Sequence, residues 1–225
     1  MNLNPYFLTI KRLEDLQNYS FYTQNCLEIL SDHMTFDVGH DKNHLMRVAR
    51  HALYFGKGGN QDVLVIASLL HDLVNLKKDN PNRHKASTFS ADLAISLLEK
   101  DNRLSSDVLE QIYHAIQAHS YSANITALTL EAKAVQDADR IESLGAIGIA
   151  RVFSVVGGLR GNLFDAEDPL AKNRALDDKR YALDHFYVKL LKIKDDMKTE
   201  KGKELATIYT AKMHVFIKQL IDEIG

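Results

Sequence analysis

Apolar positions recur every three or four residues along most of this chain, the period of helices that bury one face. In residues 11–31 the series Leu13, Leu16, Tyr19, Tyr22, Cys26, Ile29 and Leu30 predicts one amphipathic helix. Asp41 is placed to cap a second helix, which reaches about Tyr54 before Gly56, Gly58 and Gly59 end it. Asn60 caps the next, over 61–73. Its interior Val63-Leu64-Val65-Ile66-Ala67-Ser68-Leu69-Leu70 is apolar on nearly every side and belongs at the centre of the fold. A loop at 76–81 precedes a helix through Phe89, Leu93, Ala94, Leu97 and Leu98, and a further helix runs from Ser106 and Asp107 to His119. Thr129 with Glu131 opens a long helix through Ala134, Val135, Ala138, Ile141 and Leu144 to Val156, stopped by Gly157 and Gly158. Residues 159–176 have no helical period, and so long a loop in a compact domain points to function. Two helices, about 178–194 and 199–224, close the chain.

Composition narrows this to an all-α fold, since 3 prolines and 11 glycines in 225 residues leave little punctuation for many short strands. The length suits a single domain over 1–225, with a core at about 36–156 and the helices of 177–225 packing on it. A net charge of −2 with both signs mixed provides no basic stripe for a large nucleic acid. One cysteine, Cys26, excludes an internal disulfide and a thiolate zinc site, so any metal chemistry must use nitrogen and oxygen ligands. The first residues lack a basic segment followed by a long apolar one, and no apolar run approaches the roughly 20 residues of a membrane helix. The expectation is a soluble, cytoplasmic protein without a membrane partner.

One dipeptide stands out against this pattern. His71-Asp72 ends the apolar helix, where an unpaired carboxylate would cost several kcal/mol, so it must be paired, hydrogen-bonded or bound to metal. His44 opens the preceding helix and Asp139 lies on a later one. Together His44, His71, Asp72 and Asp139 make a two-histidine, two-carboxylate set with room for water. It suits one divalent ion such as Mn, Mg, Fe, Co or Ni better than structural zinc.

These residues resemble the HD superfamily of metal-dependent phosphohydrolases, whose ligands run His, His-Asp, Asp. The segments His40-Asp41-x-x-His44-x-x-Arg47-Val48, Leu69-Leu70-His71-Asp72, Ala118-His119-Ser120, Gln136-Asp137-Ala138-Asp139-Arg140 and Asp177-Asp178-Lys179-Arg180-Tyr181-Ala182-Leu183-Asp184-His185-Phe186 are similar to its bacterial YedJ/YpgQ-like branch. The resemblance spans nearly the whole chain. It implies a buried metal site in a helical bundle, the four ligands just named, and hydrolysis of a phosphoester or phosphoanhydride in a small phosphorylated substrate, a nucleotide above all.

The surrounding residues suit that chemistry. Arg47 lies three positions from His44 on nearly the same helix face, where its forked guanidinium can grip a phosphate. Lys77 or Lys78 would add a second positive charge beside Asp72, and Arg140 a third. The family pattern makes His119 a pocket residue or a partner behind the ligands. His185 and Lys189, four apart on one face, would close over substrate phosphates. His114 and His119, five apart and so about 140° around a helix, do not face one site together, which favours one ion over two. Two rival readings are a di-iron HD protein that cleaves bonds with oxygen and a metal-binding regulatory module without turnover.

Overall fold

The computed structural model describes residues 4–34, 41–76, 80–100 and 102–225. Among them the regular elements are helical: α1 Tyr6–Thr9, α2 Thr23–His33, α3 Lys42–Phe55, α4 Gln61–Leu70, α5 Ala86–Leu98, α6 Ser106–His119, α7 Leu130–Ile141, α8 Gly145–Gly158, α9 Ala182–Val188 and α10 Glu200–Ile224. Three 3₁₀ turns, Leu13–Asn18, Arg83–Lys85 and Leu190–Asp196, complete them. The chain divides into two compact units, Met1–Asp139 and Arg140–Gly225, and the division falls inside α7.

In the first unit α4 is the central helix, packed against α2, α3 and α6, while α5 lies along α6. Every residue from Val63 to Leu70 is at most 1% exposed, as its all-round apolar sequence predicts. The caps form at the expected residues. Asp41 accepts from His44 N at 2.7 Å, and Asn60 Oδ1 accepts from Asp62 N at 3.0 Å and Val63 N at 3.4 Å. Cys26 is free and buried.

The second unit packs α10 against α8 and the Leu190–Asp196 turn, and α9 against that same turn and α8. Phe153, Phe186 and Phe216 stack together in it with ring centroids 5.8 to 6.2 Å apart. Its loop at 159–176 is held by polar bonds. Arg174 forks onto both oxygens of the fully buried Asp184, at 2.5 and 2.9 Å, and its guanidinium lies over the Tyr181 ring.

Four expected boundaries are corrected. The helix predicted over 11–31 is interrupted, because Ser20 turns its hydroxyl to Asp62 at 2.7 Å and accepts from Tyr22 N, which restarts the chain as α2. The central helix stops at Leu70, three residues early, and Val74 N is taken by Ser90 Oγ rather than by a carbonyl of α4. The long helix expected to run to Val156 breaks after Ile141. Ser143 and Leu144 close tight turns, and Gly145, at φ +65°, starts α8 in a conformation other residues rarely adopt. The helix expected from 178 begins at Ala182, because Asp177 binds the amides of Lys179 and Arg180, and Lys189 then leaves helical geometry.

Candidate metal centre

All the histidines and carboxylates of the predicted set lie in the first unit, on α3, the end of α4, and α7. His44 is in the first turn of α3, His71 and Asp72 follow directly on α4, and Asp139 is in the last turn of α7. The imidazoles of His44 and His71 are buried, whereas the Asp72 and Asp139 side chains keep 19% and 27% of their surface. The cluster therefore opens toward solvent through its carboxylates.

The donor atoms converge. His44 Nε2 and His71 Nε2 are 3.3 Å apart. Asp72 Oδ2 lies 3.2 Å from His71 Nε2 and 4.0 Å from His44 Nε2, and Asp139 Oδ1 lies 3.8 and 3.7 Å from the same two atoms. Ligands about 2.1 Å from one ion are about 3.0 Å apart at right angles and about 4.2 Å apart when opposite, so the spacing of His44, His71 and Asp139 fits a single divalent cation, while Asp72 groups with His71 and His119. His71 Nδ1 faces Ser68 O at 2.9 Å, and a carbonyl can only accept; Nδ1 therefore carries a hydrogen, and Nε2 is the atom turned to the cluster, able to ligate an ion once its own proton is lost.

His119, from the end of α6, is set in the same way. Its Nδ1 donates to Ile116 O at 2.6 Å and its Nε2 lies 3.5 Å from Asp72 Oδ1, the carboxylate oxygen turned away from His44 and His71. Asp72 thus faces both His71 and His119, whose rings meet edge to face with centroids 4.8 Å apart. Burial works against its charge, but His71 and His119 hold the carboxyl well below the usual carboxylate range. For His71, burial likewise opposes the charged form, yet Asp72 and then Asp139 carry its pKa up to about 9. Asp139 is lowered despite its own desolvation by the charges of His71, His119 and His44.

The remaining predicted residues fall as follows. Arg47 is half-buried one turn along α3 from His44 and helps to hold the Asp41 carboxyl down. Lys77, Lys78 and His40 lie outside the described residues. Arg140 donates from Nη1 to Asp196, to its carbonyl at 3.1 Å and to its carboxylate at 3.0 Å. His185 Nδ1 meets Asp178 Oδ2 at 2.9 Å, and Lys189 caps α9, its amide donating to His185 O. His114 accepts from Leu128 N at 3.0 Å, apart from the cluster, as its helical angle requires. Three residues escaped the sequence reading. Gln136 Nε2 donates to Ala118 O at 2.6 Å, the carbonyl beside His119, while Arg83 and Ser90 bond to the backbone just after Asp72. A polar residue at a buried helix position three before Asp139 was the available signal for Gln136; backbone ties leave no such pattern.

A helical fold in which separate helices bring together His, His-Asp and Asp is that of an HD domain, and the HD domain family profile matches residues 42–144. The chain is 31% identical over 221 residues to the uncharacterized protein YpgQ of Bacillus subtilis, covering 96% of each. Its structure resembles that of YpgQ in complex with ADP, with TM-score 0.65 and 28% identity over 89% of this chain and 93% of that one. It also resembles an HD-superfamily hydrolase from Bacillus thuringiensis, with TM-score 0.66 and 29% identity over 93% and 96%. The chain belongs to the HD-domain family, in the branch that contains YpgQ.

Proposed function

We propose that this protein is a metal-dependent phosphohydrolase that cleaves a phosphoester or phosphoanhydride bond of a nucleotide. The observation that carries the reading is the convergence of His44, His71 and Asp139 at the spacing one divalent ion requires, with Asp72 adjoining the set through His71. These four are the proposed ligands, and ADP bound to YpgQ supports a nucleotide as substrate. A divalent ion held there would supply an activated water and polarise a phosphoryl oxygen, chemistry that suits attack at phosphorus.

The chain's own residues then position and neutralise. Ser68 O fixes the His71 ring, and the partly exposed carboxylates of Asp72 and Asp139 face the open side from which substrate would enter. His119 holds the outer oxygen of Asp72 and so orients that ligand. Arg47, on the helix of His44, is proposed to grip a phosphate. Lys77 or Lys78, which follow Asp72 closely in the chain, and Arg140 are proposed to add positive charge, although Arg140 also serves Asp196. His185, oriented by Asp178, and Lys189 are proposed to contact substrate phosphates.

The test is phosphate release from a panel of nucleotides and phosphoesters with Mg, Mn, Co and Ni, with Asp72→Ala as the blank. Turnover that is metal-dependent and absent in the blank is expected. No turnover with any metal sinks the proposal, and two irons per chain with oxygen consumption would replace it by the oxidative alternative.

A further inference from the structure

The backbone that carries Asp72 is not helical, since α4 ends at Leu70 and residues 71–74 form a turn. Its own bonding is weak, the Leu73 N to Leu70 O bond being 3.4 Å long. A ligand whose position matters within a few tenths of an ångström therefore needs support from elsewhere. Two side chains supply it. Ser90 Oγ accepts from Val74 N at 3.0 Å, and Arg83 Nη1 donates to Leu76 O at 2.6 Å. Arg83 begins the 3₁₀ turn that runs into α5, with Ala86 N bonded to Arg83 O. Arg83 and Ser90 are seven residues apart on this continuous rod, which places them on one face.

We propose that Arg83 and Ser90 are positioning residues for the metal centre, gripping the segment after Asp72 at two points and so fixing the Asp72 carboxylate against His71. Arg83 is a cation close in sequence to the His-Asp pair, and composition alone would offer it as a phosphate ligand. Its bond to a backbone carbonyl assigns it a different task. The inference rests on the metal-centre reading, but its readout is metal affinity and needs no turnover. Ser87 provides a control. It lies between the two on the same face, is 2% exposed, and its hydroxyl bonds to nothing.

Mn(II) is titrated into the metal-free protein by calorimetry, with circular dichroism to confirm helix content. Ser90→Ala and Arg83→Met are expected to weaken Mn(II) binding about tenfold, the low end of what loss of a ligand's support costs. Arg83→Gln, which keeps an N–H donor without the charge, is expected to restore most of it, and Ser87→Ala to bind as the native chain does. If Arg83→Met binds Mn(II) normally but raises KM for a nucleotide, Arg83 is a substrate ligand and the proposal fails. Should Arg83→Met not fold, Ser90→Ala decides: unchanged affinity there also overturns it. Asp72→Ala separates the two levels. If it too binds Mn(II) normally, the metal-centre reading itself falls; if it alone loses binding, only the positioning role does.

Discussion

Asp72 has oxygens with different neighbours, Oδ2 toward His44 and His71 and Oδ1 toward His119. In the metal-free protein the counterion of this carboxylate is the imidazolium of His71, whose pKa is about 9 against an ordinary 6.5. A pKa raised by folding stabilises the folded state below the unfolded value and loses that contribution as pH rises through the folded one. The metal-free protein should therefore lose this pair's contribution between about pH 6.5 and pH 9, seen as a falling unfolding temperature. An ion must displace the same proton, so Mn(II) affinity should climb by up to about tenfold per pH unit until pH 9 and then level off. Calorimetry in buffers of different ionisation enthalpy would count the proton released; an affinity flat from pH 6.5 to 9 would contradict the pairing. Gln136 offers a second test at this scale. Gln136→Leu deletes the donor to Ala118 O and leaves a buried carbonyl unpaired beside His119, a cost of about 1 to 3 kcal/mol in denaturant unfolding.

Helices deliver these residues, and their ends decide where. Asn60 caps two amides of α4 and donates its own amide to Glu131 Oε1 at 2.8 Å, so it starts the helix that ends at His71. Asn60→Ala should cost about 1 kcal/mol, measurable as a lower denaturant midpoint at unchanged slope. In the second unit Arg174→Met would strand the buried Asp184 carboxylate without its forked partner and free the loop it fastens. The midpoint should fall further than for Asn60→Ala, and proteolysis should find new sites within 159–176. The helices themselves were legible because burial on one face leaves a period of three to four in the residue types, and Asp41 and Asn60 cap by local chemistry alone. The breaks were not. Ser20 interrupts the predicted helix by bonding to Asp62, forty-two residues away, and an apolar series continues across it undisturbed. The clustering of His44, His71, Asp72 and Asp139 was legible because His and Asp advertise their chemistry, whereas Arg83, Ser90 and Gln136 act on backbone groups that every residue possesses.

At the scale of the molecule, the donor cluster lies wholly within Met1–Asp139, yet the helix that brings Asp139 continues past the division to Ile141. Among the described residues no single helix is long and apolar enough to cross a membrane. An ion that binds only the folded cluster stabilises by mass action, about 2.7 kcal/mol at a hundredfold excess over its dissociation constant. For a chain of this size unfolding as one body, that corresponds to a rise of about 5 to 10 °C in unfolding temperature. Such a rise reaches residues 140–225 only if they unfold together with the cluster. The single-domain reading therefore expects one calorimetric transition that moves as a whole when Mn(II) is added and returns when it is chelated. Two transitions, of which only one responds to the ion, would make Arg140–Gly225 an independent folding unit and overturn that reading.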